Sequence, residues 1–308
     1  MPTRGPRLAA VMLLVIVTGS CGKDAAGPTD ESRNPEFYAS PVEVSPELTF
    51  VHVGAGSLHT CGVTTDGAAW CWGWNDYGAL GTTDSMDTCG DALDGLLGCS
   101  GVPLPVSGGG SFVGVFPALV HTCALADGGT AFCWGVAFAL GRETPDGVLP
   151  APVAGEHRFT MLGTSLHDFV TCGLVADGQA YCWGADYPNR GGLGTGSTGN
   201  HQTPVAVAGD LRFVSLSVGQ FHTCGLTSEG VAYCWGQNEV GQLGDGSTEY
   251  RGAPTPVSGG MRFSMLTAGG GHTCALTTGG RAYCWGGNPY GQVGRPGSLV
   301  DSLPRSSS

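Results

Sequence analysis

Apolar and polar positions alternate along this chain in short runs, each closed by glycine or another turn-forming residue. The same succession of runs returns about every fifty residues. Residues 262–294 give its clearest form: Arg-Phe-Ser-Met-Leu-Thr-Ala, a glycine turn, His-Thr-Cys-Ala-Leu, a second glycine turn, Ala-Tyr-Cys-Trp-Gly, and a last turn ending in Gly-Gln-Val-Gly. Four landmarks mark every unit. A Pro-Val pair comes first (41–42, 105–106, 152–153, 204–205 and 256–257), then a strand opening on Phe50, Phe112, Phe159, Phe213 or Phe263. A hairpin follows whose second arm ends in Cys-Trp-Gly (71–73, 133–135, 182–184, 234–236 and 284–286), and the unit closes on Leu80-Gly81, Leu140-Gly141, Leu193-Gly194, Leu243-Gly244 or Val293-Gly294. Four short strands per unit, separated by turn residues, predict an all-β chain built of β-propeller blades. No stretch sustains a helical period, so little helix is expected.

Composition narrows the function more than the fold. Of 308 residues 55 are Gly, 41% are hydrophobic and 12% charged, which excludes collagen and disorder and fits many strands joined by tight turns. The formal net charge is −12 and no basic run occurs. Phosphate backbones are held mainly by Lys and Arg, so nucleic acid is excluded as a partner.

Ten of the 13 Cys form five pairs at one spacing: Cys61/Cys71, Cys123/Cys133, Cys172/Cys182, Cys224/Cys234 and Cys274/Cys284. A hairpin folded about Asp66 sets Cys61 opposite Cys71 and Val63 opposite Ala69, within disulfide reach. The rival is a metal site, because His stands two before the first Cys in four of five units. Structural zinc gathers Cys pairs two to four residues apart on one ion, whereas one pair per blade in an oxidising compartment favours disulfides. Cys89 and Cys99, in an insertion peculiar to the first unit, are expected to pair with each other.

The pattern His-Thr-Cys-Ala-Leu, Tyr-Cys-Trp-Gly and Gly-Gln-Leu-Gly, best at 222–244 and 272–294, resembles the regulator of chromosome condensation repeat, and the likeness covers about residues 41–294. The paired Cys are similar to bacterial exported variants of it. The resemblance implies a propeller, seven-bladed in known members, with diverse binding roles that include nucleotide-exchange activation and inhibition of β-lactamases. Every landmark here occurs five times. Val42 precedes Cys61 by 19 residues, as Val153 precedes Cys172, so an N-terminal strand is expected to complete the last blade and close a five-bladed ring. The alternatives are an incomplete seven-bladed ring, or a ring completed by a second copy.

Arg4 and Arg7 precede an apolar run, 8–17, too short to span a bilayer as a helix but suited to a signal peptide. Thr18-Gly19-Ser20-Cys21 resembles a lipoprotein cleavage site, although Leu is usual where Thr18 stands. The expected organisation is a signal peptide over 1–20, a lipid-anchored tether over 21–39 with Cys21 acylated, and the propeller over 40–308. The chain is then exported to a bacterial cell envelope and held there only by its lipid. Gly22 after the Cys favours the outer membrane, with plain secretion the alternative.

His59, His121, His222 and His272 share one repeat position, where a hydrogen bond to a neighbouring turn is the structural reading and a channel ion the rival. Trp72, Trp134, Trp183, Trp235 and Trp285 read as packing between blades. Residues that differ among units are better contacts, so Trp74, Tyr77, Tyr187 and Tyr290, in the loops after Cys-Trp-Gly, are the candidate partner-binding residues, with the insertion 82–107 beside them. No catalytic, metal or cofactor motif appears; the glycine run at 194–199 lacks the helix a dinucleotide fingerprint needs. The expected function is non-catalytic binding of a protein or glycan through the loop face. The alternatives are inhibition of an exported enzyme, or an enzyme or metal-dependent activity in the central channel.

Overall fold

The computed structural model describes residues 41–84, 87–89, 97–108, 110–143, 147–186, 190–294 and 300–306. In the first unit β1 (Phe50–Ala55), β2 (His59–Thr64) and β3 (Ala69–Trp74) form a meander, which β4 (Asp87–Cys89) and β5 (Leu97–Pro105) extend in the order β1-β2-β3-β5-β4. The second sheet holds β6 (Phe112–Pro117), β7 (His121–Ala126), β8 (Ala131–Gly135) and β9 (Ala151–Pro152). The third holds β10 (Phe159–Thr164), β11 (Phe169–Val175), β12 (Ala180–Ala185) and β13 (His201–Ala206). β14 (Phe213–Val218), β15 (His222–Thr227), β16 (Ala232–Gly236) and β17 (Arg251–Pro256) make the fourth. The fifth comprises β18 (Phe263–Ala268), β19 (His272–Thr277), β20 (Ala282–Gly287) and β21 (Val300–Ser306). All neighbouring strands are antiparallel, and the five expected blades are present.

Within each blade the hairpin register opposes the paired Cys. Disulfides join Cys61 to Cys71, Cys123 to Cys133, Cys172 to Cys182, Cys224 to Cys234 and Cys274 to Cys284, each with Cα atoms 4.1 Å apart. Cys99 is also disulfide-bonded; the side chain of Cys89 lies outside the described residues. So many disulfides point to an exported or extracellular protein. In four of the blades the ladder to the outer strand slips after the second Cys, as between Cys234 and Gly236, and Gly236 takes φ 103°. A Cβ there would stand 2.6 Å from the Phe221 carbonyl oxygen, so only glycine fits the third position of Cys-Trp-Gly.

The apolar core lies between blades, not within them. Cys61, Val63, Ala69, Cys71 and Leu80 on the trailing face of the first blade pack against Phe112, Val115 and Trp134 on the leading face of the second. Equivalent residues repeat this seam at the next three junctions, with Cys123 and Cys133 under Trp183 and Cys172 and Cys182 under Trp235. Polar groups lock it. Thr122 Oγ1 donates to the Ala79 carbonyl at 2.8 Å, so the same oxygen, 2.7 Å from His59 Nε2, accepts the imidazole proton. Trp134 Nε1 donates to that carbonyl too, at 2.9 Å. At the fourth junction His222, Thr273, Trp285 and the Gln242 carbonyl repeat the arrangement. The amides of Phe112, Phe159, Phe213 and Phe263 donate to the carbonyls of Gly67, Gly129, Gly178 and Gly230 of the preceding blade.

The closing strand departs from expectation. Residues 41–49 carry no strand, and the outer strand of the fifth sheet is β21, with Arg305 opposite Cys284 as Thr255 is opposite Cys234. An outer strand tolerates proline and needs no Pro-Val signature, so Leu303-Pro304 serves. Among the described residues no hydrogen bond joins the fifth blade to the first. Trp72 is only half-buried, while the other four repeat Trp are fully buried. Val53 is 63% exposed where its equivalent Val115 is 0%, and Leu276 is 37% exposed where Leu226 is 3%. The outer faces of the first and fifth blades are thus more exposed, among the described residues, than the faces packed at the four internal junctions.

Burial depresses His59 to about 4 and His121 and His222 to about 3; each keeps its ring neutral. In the third unit Val170 takes the histidine's place, and nearby Asp168 is pushed up to about 7, chiefly by burial, with the Phe169 amide opposing and Asp186 adding. The two effects have opposite signs. Histidine stabilisation is complete above pH 6.5 and is lost as pH falls towards 4 and 3. For Asp168 the folded state holds a proton that the unfolded carboxyl gives up near 3.8, so its contribution is complete below that and is lost as pH rises through 7. Thermal melts of Asp168→Asn should match the parent at pH 4 and exceed it at pH 8, by roughly 1–3 kcal/mol. Equal stability at both pH values would refute the buried neutral acid. The seam supplies a second test. Trp235→Ala should cost about 3–5 kcal/mol in denaturant melts, and Trp72→Ala clearly less, because Trp72 has no blade against it.

Candidate functional site

Antiparallel pairing puts the loops between first and second strands, and between third and fourth strands, at the same end of every blade. The hairpin turns and the links between blades fall at the other end. The two ends differ in chemistry. Turns at the second end read Thr65-Asp66-Gly67, Asp127-Gly128-Gly129, Ala176-Asp177-Gly178 and Ser228-Glu229-Gly230, which are polar and wet. The first end exposes Leu58, Tyr77, Val148, Leu166, Tyr250 and Tyr290. It is therefore the candidate binding face. Exposed aromatic residues are frequent contact anchors, and those exposed among the described residues, Tyr77, Tyr250 and Tyr290, all lie here.

Trp74 and Tyr77 meet on this end edge-to-face, ring centroids 5.6 Å apart. The insertion is tied to them: Trp74 lies opposite Cys99, the Asn75 amide donates to the Gly98 carbonyl at 2.8 Å, and the Gly98 amide donates to Asp76 Oδ1 at 3.1 Å. Asn75 in turn fixes the loop, its Oδ1 accepting from the Leu80 amide, as Asn238 does for Leu243 and Asn288 for Val293. Tyr77 is 53% exposed and Tyr290, at the equivalent place on the fifth blade, 94%. Tyr187 lies outside the described residues, as do Cys21, the leader and the tether. The structure thus brings Trp74, Tyr77 and the insertion together on the first blade and sets Tyr290 on the last.

A further group on this end has no counterpart among the sequence-derived candidates. Arg190 pairs with Glu239 at 3.1 Å and stacks over Tyr250, 5.2 Å from the ring centre. The Tyr250 hydroxyl donates to Glu239 Oε1 and Gln237 Nε2 donates to Glu239 Oε2. These bonds lower the Glu239 carboxyl, Tyr250 first, and raise the Tyr250 phenol. All four residues occupy positions that differ from unit to unit, which is the signal that would have found them. Their charges come from separate blades, so pairing is invisible along the chain.

The repeat-position histidines face the next blade rather than one another. Nε2 of His59, His121 and His222 is engaged by Thr122, Thr171 and Thr273, so the partner is a neighbouring strand rather than the turn expected. The cysteines near them are already committed: Cys71, Cys133, Cys182, Cys234 and Cys284 each close a hairpin disulfide and offer no thiolate to an ion. Among the described residues no three His, Cys, Asp or Glu side chains are placed to share a metal ion.

A family profile described as the regulator of chromosome condensation (RCC1) repeat matches residues 177–226 and 229–276, and a second of the same description matches 50–79, 213–242 and 266–292. The chain is 31% identical to Protein pim1 of Schizosaccharomyces pombe over 137 residues, 42% of this chain and 25% of that protein. It is 27% identical to the Ultraviolet-B receptor UVR8 of Arabidopsis thaliana over 219 residues, 67% of this chain and 45% of that one. It spans less than half the length of either. Among solved structures it is similar to human WBSCR16, with TM-score 0.69 and 20% identity over 84% of this chain and 67% of that one. Prp20p of Saccharomyces cerevisiae, whose structure was described with its binding to Gsp1p and histones, gives TM-score 0.60 and 19% identity over 83% and 76%. Repeat spacing, blade topology and these matches agree: residues 50–79 and most of 177–292 match the regulator of chromosome condensation (RCC1) repeat, and all five sheets share its landmarks.

Proposed function

We propose that this chain is an exported, lipid-anchored, non-catalytic propeller that binds a protein or glycan partner through the loop end of its blades. The observation that carries the reading is the distribution of exposed aromatic residues: Tyr77, Tyr250 and Tyr290 stand at one end, while the other carries polar turns and single exposed valines such as Val51, Val113 and Val214. Tyr and Trp offer large contact area at low entropic cost, and hot spots are enriched in them. Prp20p, described as binding Gsp1p and histones, is a precedent for protein partners on this fold. The fold alone does not carry a partner over. A net charge of −12 favours a partner with a basic or neutral surface.

Anchoring rests on Cys21 and the apolar run before it. Two measurements separate anchoring from binding. Cys21→Ala should abolish incorporation of labelled palmitate and release the protein from membranes; unchanged labelling would refute acylation there. Joint Trp74→Ala and Tyr77→Ala substitution should weaken capture of the envelope partner by about tenfold or more while leaving the melting temperature within a few degrees. Undiminished capture would move the site elsewhere.

A further inference from the structure

The loop end holds an arginine at one place, and the way it does so has a partial copy elsewhere. Glu239 takes the Arg190 guanidinium on both carboxylate oxygens, at 3.1 and 3.4 Å, and the guanidinium carbon stands 5.2 Å from the centre of the Tyr250 ring. A flat cation gains from a carboxylate at its edge and an aromatic ring at its face together. Glu239 follows Asn238, the residue that fixes the loop after Cys-Trp-Gly. The fifth blade has Pro289 after Asn288, the third has Tyr187 after Asp186, and the shorter loop of the second, 136–139, carries no acid. The first blade alone repeats the carboxylate, as Asp76 after Asn75.

Asp76 has the surroundings of Glu239 without the cation. Its Oδ1 accepts from the Gly98 amide, and its Oδ2 makes no hydrogen bond among the described residues. Trp74 and Tyr77 flank it and meet edge-to-face, and Asp76 and Tyr77 are both exposed. No Lys or Arg occurs between Arg33 and Arg142, so neither the first blade nor β6 to β8 of the second supplies a partner. The arginine–carboxylate pairs among the described residues join Arg190 to Glu239, Arg212 to Asp177 and Arg251 to Asp245, all away from the first blade.

We propose that Trp74, Asp76 and Tyr77 form a cradle for an arginine side chain of a protein partner. This rests on the binding role given above to the loop end and names the partner's chemistry there. The guanidinium pairs with Asp76 Oδ2 and lies on the exposed ring of Tyr77, which Trp74 steadies from the side. Arginine fits better than lysine, because its planar and weakly hydrated cation stacks and pairs at once. Asp84, Asp87, Asp91 and Asp94 follow in the insertion with no base among them, so the local field attracts basic segments and repels acidic ones.

The test titrates the full chain with three synthetic peptides that alternate glycine with arginine, lysine or citrulline, the last a neutral isostere of arginine. The arginine peptide should bind about tenfold tighter than the citrulline peptide and about threefold tighter than the lysine peptide. Asp76→Asn keeps the oxygen that accepts from Gly98, so the loop holds its shape, and should weaken the arginine peptide about fivefold. Tyr77→Leu should remove the preference for arginine over lysine. Asp127→Asn, at an exposed turn acid on the other end, should change neither. Equal affinity for the arginine and citrulline peptides, no binding of either, or equal losses in Asp76→Asn and Asp127→Asn would overturn the cradle. Tighter binding of phosphocholine than of the arginine peptide would also overturn it, by giving the aromatic pair to a lipid headgroup. Capture of the envelope partner separates this inference from the reading beneath it. Asp76→Asn should lower capture, as the joint Trp74→Ala and Tyr77→Ala substitution does. Capture lost in the joint variant alone keeps the binding face and rejects the arginine; capture undiminished in both rejects the face itself.

Discussion

Everything in this molecule depends on a seam between sheets whose two sides are chemically unlike. The trailing side is made of small residues and a disulfide, such as Ala232, Cys224 and Cys234, with Leu226 and Leu243 around them. The leading side is aromatic, with Phe263 and Trp285 tilted at 35° to one another over the disulfide hairpin. A sheet of four short strands has too little surface to hold a core of its own. Placed face to face, the small side of one becomes the socket for the large side of the next, and burial of several large side chains per junction drives stacking. The disulfide fits this role because it closes the hairpin covalently and fills the socket without a polar group.

Direction follows from the same inequality. A trailing face matches only a leading face, so blades add in one sense and the polar locks add register. His59 donates to Thr122, whose own proton goes to the Ala79 carbonyl, and that carbonyl also takes Trp134. Every hydrogen bond in that relay crosses the junction. Such a network is worth having in a dry interface only when its members are paired, and a charged imidazole would break it. Burial therefore holds these histidines neutral, and the third unit, with Val170 in place of the histidine, solves the junction differently. There Ser165 Oγ donates to the Gln220 carbonyl across the blades, and Asp168 is left buried near the next histidine loop.

The candidate binding face shows a similar division between rule and exception. Asn75, Asn238 and Asn288 fold the same loop in three blades through the same hydrogen bond. On that common frame the side chains differ: Tyr77 and Tyr290 project, Val240 replaces them on the fourth blade, and Arg190, Glu239 and Tyr250 knit two neighbouring blades. A rigid scaffold with variable tips is suited to recognition, because little order is lost when a partner binds.

How much of this was legible in the chain can be read from single residues. Period-two alternation, Cys at mirror positions about Asp66, and glycine where φ must be positive are local constraints, so the blade, its hairpin register and its disulfide followed from sequence. The same mirror spacing paired Cys133 with Cys123 and Cys182 with Cys172. The role of the repeat Trp also followed, because one bulky residue per unit has one place to be buried. Arg190 and Tyr250 did not, since 60 positions separate them and only blade stacking brings them together. The outer strand of the fifth blade did not either: Pro41-Val42 carries the local signature of an outer strand, but pairing is decided by which inner strands lie beside it. The sequence by itself determined the repeating unit, because that unit is set by interactions over a few residues. The tertiary structure alone decided that β21, and not residues 41–44, completes the fifth blade, because strand pairing depends on which inner strands lie alongside, which no local pattern encodes.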